Sequence, residues 1–244
     1  MDAGGTFALL TTAASIGVVH TLLGPDHYLP FVALGRARSW PLSRTLALTA
    51  WCGVGHVAGS IALGALGVAF GWALSGLVAV EELRGRLAGW LLLAFGLAYL
   101  AWGVRRGLRE RPHRHAHAHG DGTVHAHGHD HLGEHAHPHD AAQAWGDGPL
   151  RRWLGPWTVF VVFVLGPCEP LIPVLMYPAA GGDWGSVAAV AAIFATATIS
   201  TMLVLVGAAS LGLARLSAAP LERWSHAAAG AALAACGLAV TLGL

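Results

Sequence analysis

The chain has 244 residues, 55% of them hydrophobic and only 11% charged, with a mean hydropathy of +0.58 and a formal net charge of +1. That composition, with several apolar stretches of bilayer-spanning length, excludes an ordinary soluble enzyme and predicts an all-α polytopic membrane protein whose first partner is the lipid bilayer. No catalytic residues and no nucleic-acid partner are expected, and self-association stays open.

A span needs roughly 20 apolar residues. The sequence offers Phe7–Leu34, Thr45–Leu77, Leu87–Val104, Trp157–Ala180, Val187–Leu213 and Trp224–Leu244, predicting six transmembrane helices. Met1–Thr6 lacks the basic residues of a secretory leader, so the first stretch reads as a retained helix. All 14 basic residues are arginine, and with six spans 12 of them fall in loops on one side. The positive-inside rule makes that side cytoplasmic, predicting a bacterial inner-membrane protein with both termini outside.

The first stretch contains Leu23-Gly-Pro-Asp-His-Tyr-Leu-Pro30, and the fourth contains Leu165-Gly-Pro-Cys-Glu-Pro-Leu-Ile-Pro173. Each copy opens a block of three spans, predicting two inverted repeats, 1–109 and 150–244, with a Gly-Pro break in the first helix of each. Proline removes a backbone donor and unwinds a turn, which a bilayer tolerates only where protein or a water-filled cavity satisfies the freed carbonyl. Inverted-repeat transporters place their substrate site at such paired breaks.

The predicted site follows from the ionisable and soft groups near those breaks. His20, Asp26 and His27 cluster at the first, and Cys168 and Glu169 follow the second. His56 lies among glycines in the second span. Imidazole, carboxylate and thiolate together suit a divalent transition-metal ion, and intramembrane ionisable groups mark ion pathways. Thr198 and Thr201 in the fifth span are candidates to line the path. Cys52 and Cys236 have no ligand neighbours in sequence and are expected to pack in the core.

Between the halves, 110–149 is predicted to be a disordered cytoplasmic loop. It carries 11 of the 15 histidines: His113, His115, His117, His119, His125, His127, His129, His131, His135, His137 and His139. Imidazoles at this density predict an exchangeable metal collector.

At His20-Thr-Leu-Leu-Gly-Pro-Asp26-His27 the chain resembles the nickel/cobalt transporters of the NicO and UreH-like branch of the LysE/DsbD superfamily. Their first helix carries a His, a short spacer and Asp-His, and their NicO members carry a His-rich cytoplasmic loop. Here five residues separate His20 from Asp26, against the family's four. The resemblance spans the six-helix plan and implies gradient-driven transport of Ni2+ or Co2+, with Zn2+ and Cd2+ also suited to the donor set. A cytoplasmic collector favours export. Gly166-Pro-Cys-Glu-Pro170 also looks like the Pro-Cys-x-x-Pro segments of thiol-electron transporters of the CcdA and DsbD type, but the first-half counterpart is Asp26-His27 and not a second cysteine. A membrane metal sensor or buffer is the remaining alternative.

Overall fold

The computed structural model describes residues 3–71, 73–109, 113–118, 124–129, 149–214 and 223–243. In chain order they form α1 (Ala3–Leu23), a single 3-10 turn (Pro25–His27), α2 (Leu29–Ala37), α3 (Leu42–Ala69), α4 (Leu74–Arg109), strands β1 (His113–Ala118) and β2 (Val124–His129), α5 (Pro149–Leu165), α6 (Leu171–Ala180), α7 (Trp184–Ala214) and α8 (Ser225–Thr241). Four helices contain segments long and apolar enough to cross a membrane: Gly4–Leu23, Leu42–Val68, Leu74–Leu108 and Trp184–Ala214. The outer surface carries large apolar side chains, Phe7, Trp51, Phe70, Trp90 and Val204 among them, as a lipid-facing surface requires.

Both Gly-Pro sequences break their helices. Gly24 takes an extended conformation (φ −89°, ψ 93°) and ends α1, as the residue before a proline tends to. α5 stops at Leu165, and α6 starts after Gly166-Pro-Cys-Glu-Pro170. Each half therefore runs helix, break, short helix, long helix, helix.

The third expected span differs from its prediction. Leu87–Val104 is the later part of a 36-residue helix beginning at Leu74, so Glu81, Glu82, Arg84 and Arg86 lie on α4 and not in an outward loop. The opposite charges at Glu81 and Arg84, three residues apart, meet on one helix face and keep the helix continuous through a polar stretch.

Within the His-rich segment the described residues, 113–118 and 124–129, are two strands. β1 and β2 pair antiparallel, with His113 opposite His129, His115 opposite His127 and His117 opposite His125. The alternating His-x-His pattern has the two-residue period of a strand. His119, His131, His135, His137 and His139 lie outside the described residues.

The helices interleave across the halves. α1 packs on α7 and α5 on α3; α2 packs on α8 and α6 on α4; α3 meets α7 and α4 meets α8. Exchanging the halves maps this set onto itself, while a contact between α4 and α5 has no equally strong counterpart. The most extensive contact, α4 against α8, is built on glycine. Gly96 and Gly103 of α4 abut the backbones of Ala234 and Ala227, and Gly230 and Gly237 of α8 abut those of Leu100 and Leu93. A Cβ at any of the four would collide with main chain, so the seven-residue glycine spacing lets two antiparallel backbones touch.

Two apolar clusters flank the breaks. One joins Phe31, Leu34, Cys52, Leu92, Phe163, Met202, Leu233 and Cys236. The other joins Ala13, Val57, Cys168, Leu171, Leu175, Val190 and Phe194. At the start of α7, Ser186 donates its backbone N–H (3.0 Å) and its hydroxyl (2.8 Å) to the Asp183 carboxylate. Those bonds cap the helix and hold the Asp183 carboxyl below the usual carboxylate range.

Candidate metal centre

Three imidazoles from three elements converge: His20 from the last turn of α1, His27 from the 3-10 turn and His56 from α3. One ring nitrogen of each lies within 4.8 Å of the other two. Ring centroids are 4.7 Å apart for His20 and His27, 5.1 Å for His27 and His56, and 6.3 Å for His20 and His56. The Nε2 atom of every one is buried without a hydrogen-bond partner. An orphaned buried polar nitrogen costs free energy, which a cation shared by the three rings would offset.

The breaks orient these rings. At the first, His27 Nδ1–H is shared between the Gly24 carbonyl (3.1 Å) and Asp26 Oδ1 (3.2 Å). A Cβ on Gly24 would lie 2.5 Å from His27 Nδ1 and 2.9 Å from Asp26 Oδ1, so glycine is what lets both side chains fold back on the helix end. At the second, His56 Nδ1–H donates to the Phe163 carbonyl at 3.1 Å. In an uninterrupted helix the residue four positions on would bond that carbonyl, but here it is Pro167, which has no N–H, and the carbonyl accepts from Gly166 N–H (3.1 Å) as well as from His56. The first break thus supplies ligands and the second supplies the carbonyl that orients His56. A proton held on Nδ1 of His27 and of His56 leaves their Nε2 lone pairs free to bind metal.

The next unpaired groups of the second break are held by an ion pair on α4. Arg84 Nη2 donates to the Val164 carbonyl at 2.7 Å, and Glu81 Oε2 accepts the Cys168 N–H at 3.3 Å. Glu81 and Arg84 pair at 2.5 Å, and Arg84 Nη1 also reaches Ser60 Oγ at 3.5 Å. The sequence reading missed this pair by assigning it to a loop; its i, i+3 spacing beside an apolar run was the available signal.

The six predicted metal residues therefore separate. His20, His27 and His56 come together despite the longer His20 spacing, because the turn at Gly24–His27 closes the distance. Asp26 sits against His27 Nδ1 as an orienting carboxylate. The Cys168 side chain is fully buried in the apolar cluster with Ala13, Val57 and Leu171, outside the group of three imidazoles, and its backbone N–H donates to Glu81. All three cysteines are free. Glu169 lines a cavity together with His20 and His27, and is not one of the three groups that converge there. Thr198 is fully buried with an unpartnered hydroxyl, while the Thr201 hydroxyl back-bonds to the Ala197 carbonyl at 2.8 Å.

Two cavities meet at the site. The larger, about 840 Å³, is lined by His20, Asp26, His27, Glu82, Arg86 and Glu169 among apolar walls. The smaller, about 20 Å³, lies between Asp26, His27, His56, Phe163 and Leu92. Asp26, His27, Pro167 and Val240 line both.

Three nitrogens at the 4.8 Å limit would place a central ion about 2.8 Å from each, against about 2.1 Å for a metal–imidazole bond. Ring movements of under about 1 Å close that gap. Three imidazoles leave at least one coordination position for water or a carboxylate, the open arrangement an exchangeable ion requires. No protein-family model matches the chain, and no curated protein or solved structure matches it either.

Proposed function

We propose that this is a secondary transporter of divalent transition-metal ions in a bacterial inner membrane, with the ion bound by Nε2 of His20, His27 and His56 as it crosses. The observation that carries this is the convergence of three buried, unpartnered imidazole nitrogens at a helix break. The donor set suits nickel, cobalt, zinc and cadmium. The resemblance at His20 to His27 favours nickel and cobalt.

In this account the chain crosses the membrane six times, with α1 and α2 together forming one interrupted crossing and α5 and α6 another. The exchange of helix contacts between halves supports inverted repeats, whose site lies at the paired breaks. The large cavity is lined by the second half of α1, the two breaks, Glu82, Gly85 and Arg86 of α4 and the α8 end, and not by Arg36, Arg38 or Arg44. With those arginines taken as cytoplasmic, we read this cavity as the outward opening and the apolar cluster of Phe31, Leu92 and Phe163 as the seal on the other side. Transport then alternates this seal with one on the outward side of the imidazoles. The close backbone contact favours α4 and α8 moving as one body, with α1, α3, α5 and α7 shifting against it. A cytoplasmic His-rich segment gathers ions on the side to be cleared, which favours export.

The test is uptake of radioactive nickel into sealed proteoliposomes of the purified chain under a pH gradient, with cobalt, zinc and cadmium as competitors. Saturable flux, lowered most by cobalt, is the expected result. Absence of flux in both membrane orientations, with folded protein, overturns the proposal.

A further inference from the structure

The large cavity holds charges that the imidazole site does not use. Glu82 of α4 and Glu169 of the second break line it, and among the described residues neither makes an ion pair or a side-chain hydrogen bond. They come from opposite halves of the chain. Arg86 lines the same wall, also without a recorded partner, while Arg84 is committed to Glu81 and the Val164 carbonyl. With the imidazoles neutral, Glu82 and Glu169 against Arg86 leave a net charge of minus one, and Asp26, which also orients His27, brings it to minus two. That complements one divalent cation. His27, 3% exposed and with Nε2 unpartnered, forms the inner wall of the cavity.

The volumes separate two states of the ion. A hydrated divalent ion, with metal–oxygen bonds of about 2.1 Å and a water radius of about 1.4 Å, is a sphere about 7 Å across and about 180 Å³ in volume. It fits the 840 Å³ cavity with its shell intact, whereas the 20 Å³ void beyond His27 has room for about one water. Water must therefore leave at the imidazoles. Carboxylates hold a hydrated ion through its waters or by exchanging one or two of them.

We propose that Glu82 and Glu169 form an outer subsite that takes the hydrated divalent metal ion before it is stripped by His20, His27 and His56. This deepens the transport reading and rests on it for the order of events, but its occupancy can be read without transport. On this path Asp26, which lines both cavities, faces the ion at both stages. In the reverse direction the subsite receives the ion as it regains water.

The experiment is carbodiimide-driven amidation of the full chain in nanodiscs, with the rates at Glu82 and Glu169 followed by peptide mass spectrometry, with and without nickel chloride. At nickel about ten times its dissociation constant, mass action leaves about one carboxylate pair in ten reactive, so both rates should fall roughly tenfold. The protection should persist in His27→Ala and in His56→Ala, each checked for monodispersity. Unchanged rates in the wild type overturn the subsite. Protection that disappears in both variants also overturns it, because nickel at the imidazoles alone would then shield the carboxylates. Failure of the transport reading appears separately, as absent nickel flux in proteoliposomes.

Discussion

Replacing Arg84 with methionine leaves the Glu81 carboxylate buried and without a counter-ion. Glu81 is 0% exposed and Arg84 16%, so solvent screens the pair weakly. Breaking a buried pair from one side costs about 3–5 kcal/mol, because the remaining charge has lost both water and partner. Removing both, in Arg84→Met/Glu81→Met, eliminates the stranded charge and leaves the Val164 carbonyl and the Cys168 N–H unpaired, at about 1–3 kcal/mol each. The two single substitutions should therefore be strongly non-additive, with the second adding less than about 2 kcal/mol to the first. The assay is denaturant unfolding of the full chain in detergent across the double-mutant cycle. Single costs under about 1 kcal/mol, as for solvent-exposed pairs, or costs that simply add, would refute the assignment of this pair as the clamp on the second break.

The other predictions concern the site and the scaffold. Pro167→Ala supplies an N–H that competes with His56 Nδ1 for the Phe163 carbonyl, so the affinity measured by nickel-dependent flux should fall about 10- to 100-fold while the melting temperature does not drop. Asp26→Asn weakens the hold on His27 Nδ1 and should cost a similar factor, read as a rise in the nickel concentration for half-maximal flux. Gly96→Val drives a side chain into the Ala234 backbone and should abolish a monodisperse peak in size-exclusion chromatography, while Gly76→Ala, which meets nothing within 4 Å, should leave it unchanged.

The sequence made the breaks legible because proline acts locally. Gly24-Pro25 and Gly166-Pro167 end their helices where the residues say they must. His20, His27 and His56 were legible as candidates because ionisable groups within apolar stretches are uncommon. Their mutual approach needed the tertiary structure, which brings α3 to the end of α1. Cys168 and Glu169 are adjacent in sequence but diverge, the thiol into an apolar cluster and the carboxylate onto the cavity wall. No pattern along the chain determines which neighbour turns inward. Glu81 and Arg84 interrupted the apolar run and moved the expected span start to Leu87, although their pairing is what makes α4 continuous. The Phe163 carbonyl was least visible, since a backbone group carries no residue signature beyond the proline four positions later. Alternating histidines in 113–118 and 124–129 carry the two-residue period of a strand.

The central claim is that three imidazoles, and not the thiol, carry the ion. It is tested most directly by nickel flux through His20→Ala, His27→Ala and His56→Ala beside Cys168→Ala, in proteoliposomes matched for folded protein. The account predicts that each histidine variant loses nearly all flux and that Cys168→Ala keeps it. Flux that survives in the histidine variants, or that vanishes with Cys168 alone, would contradict it.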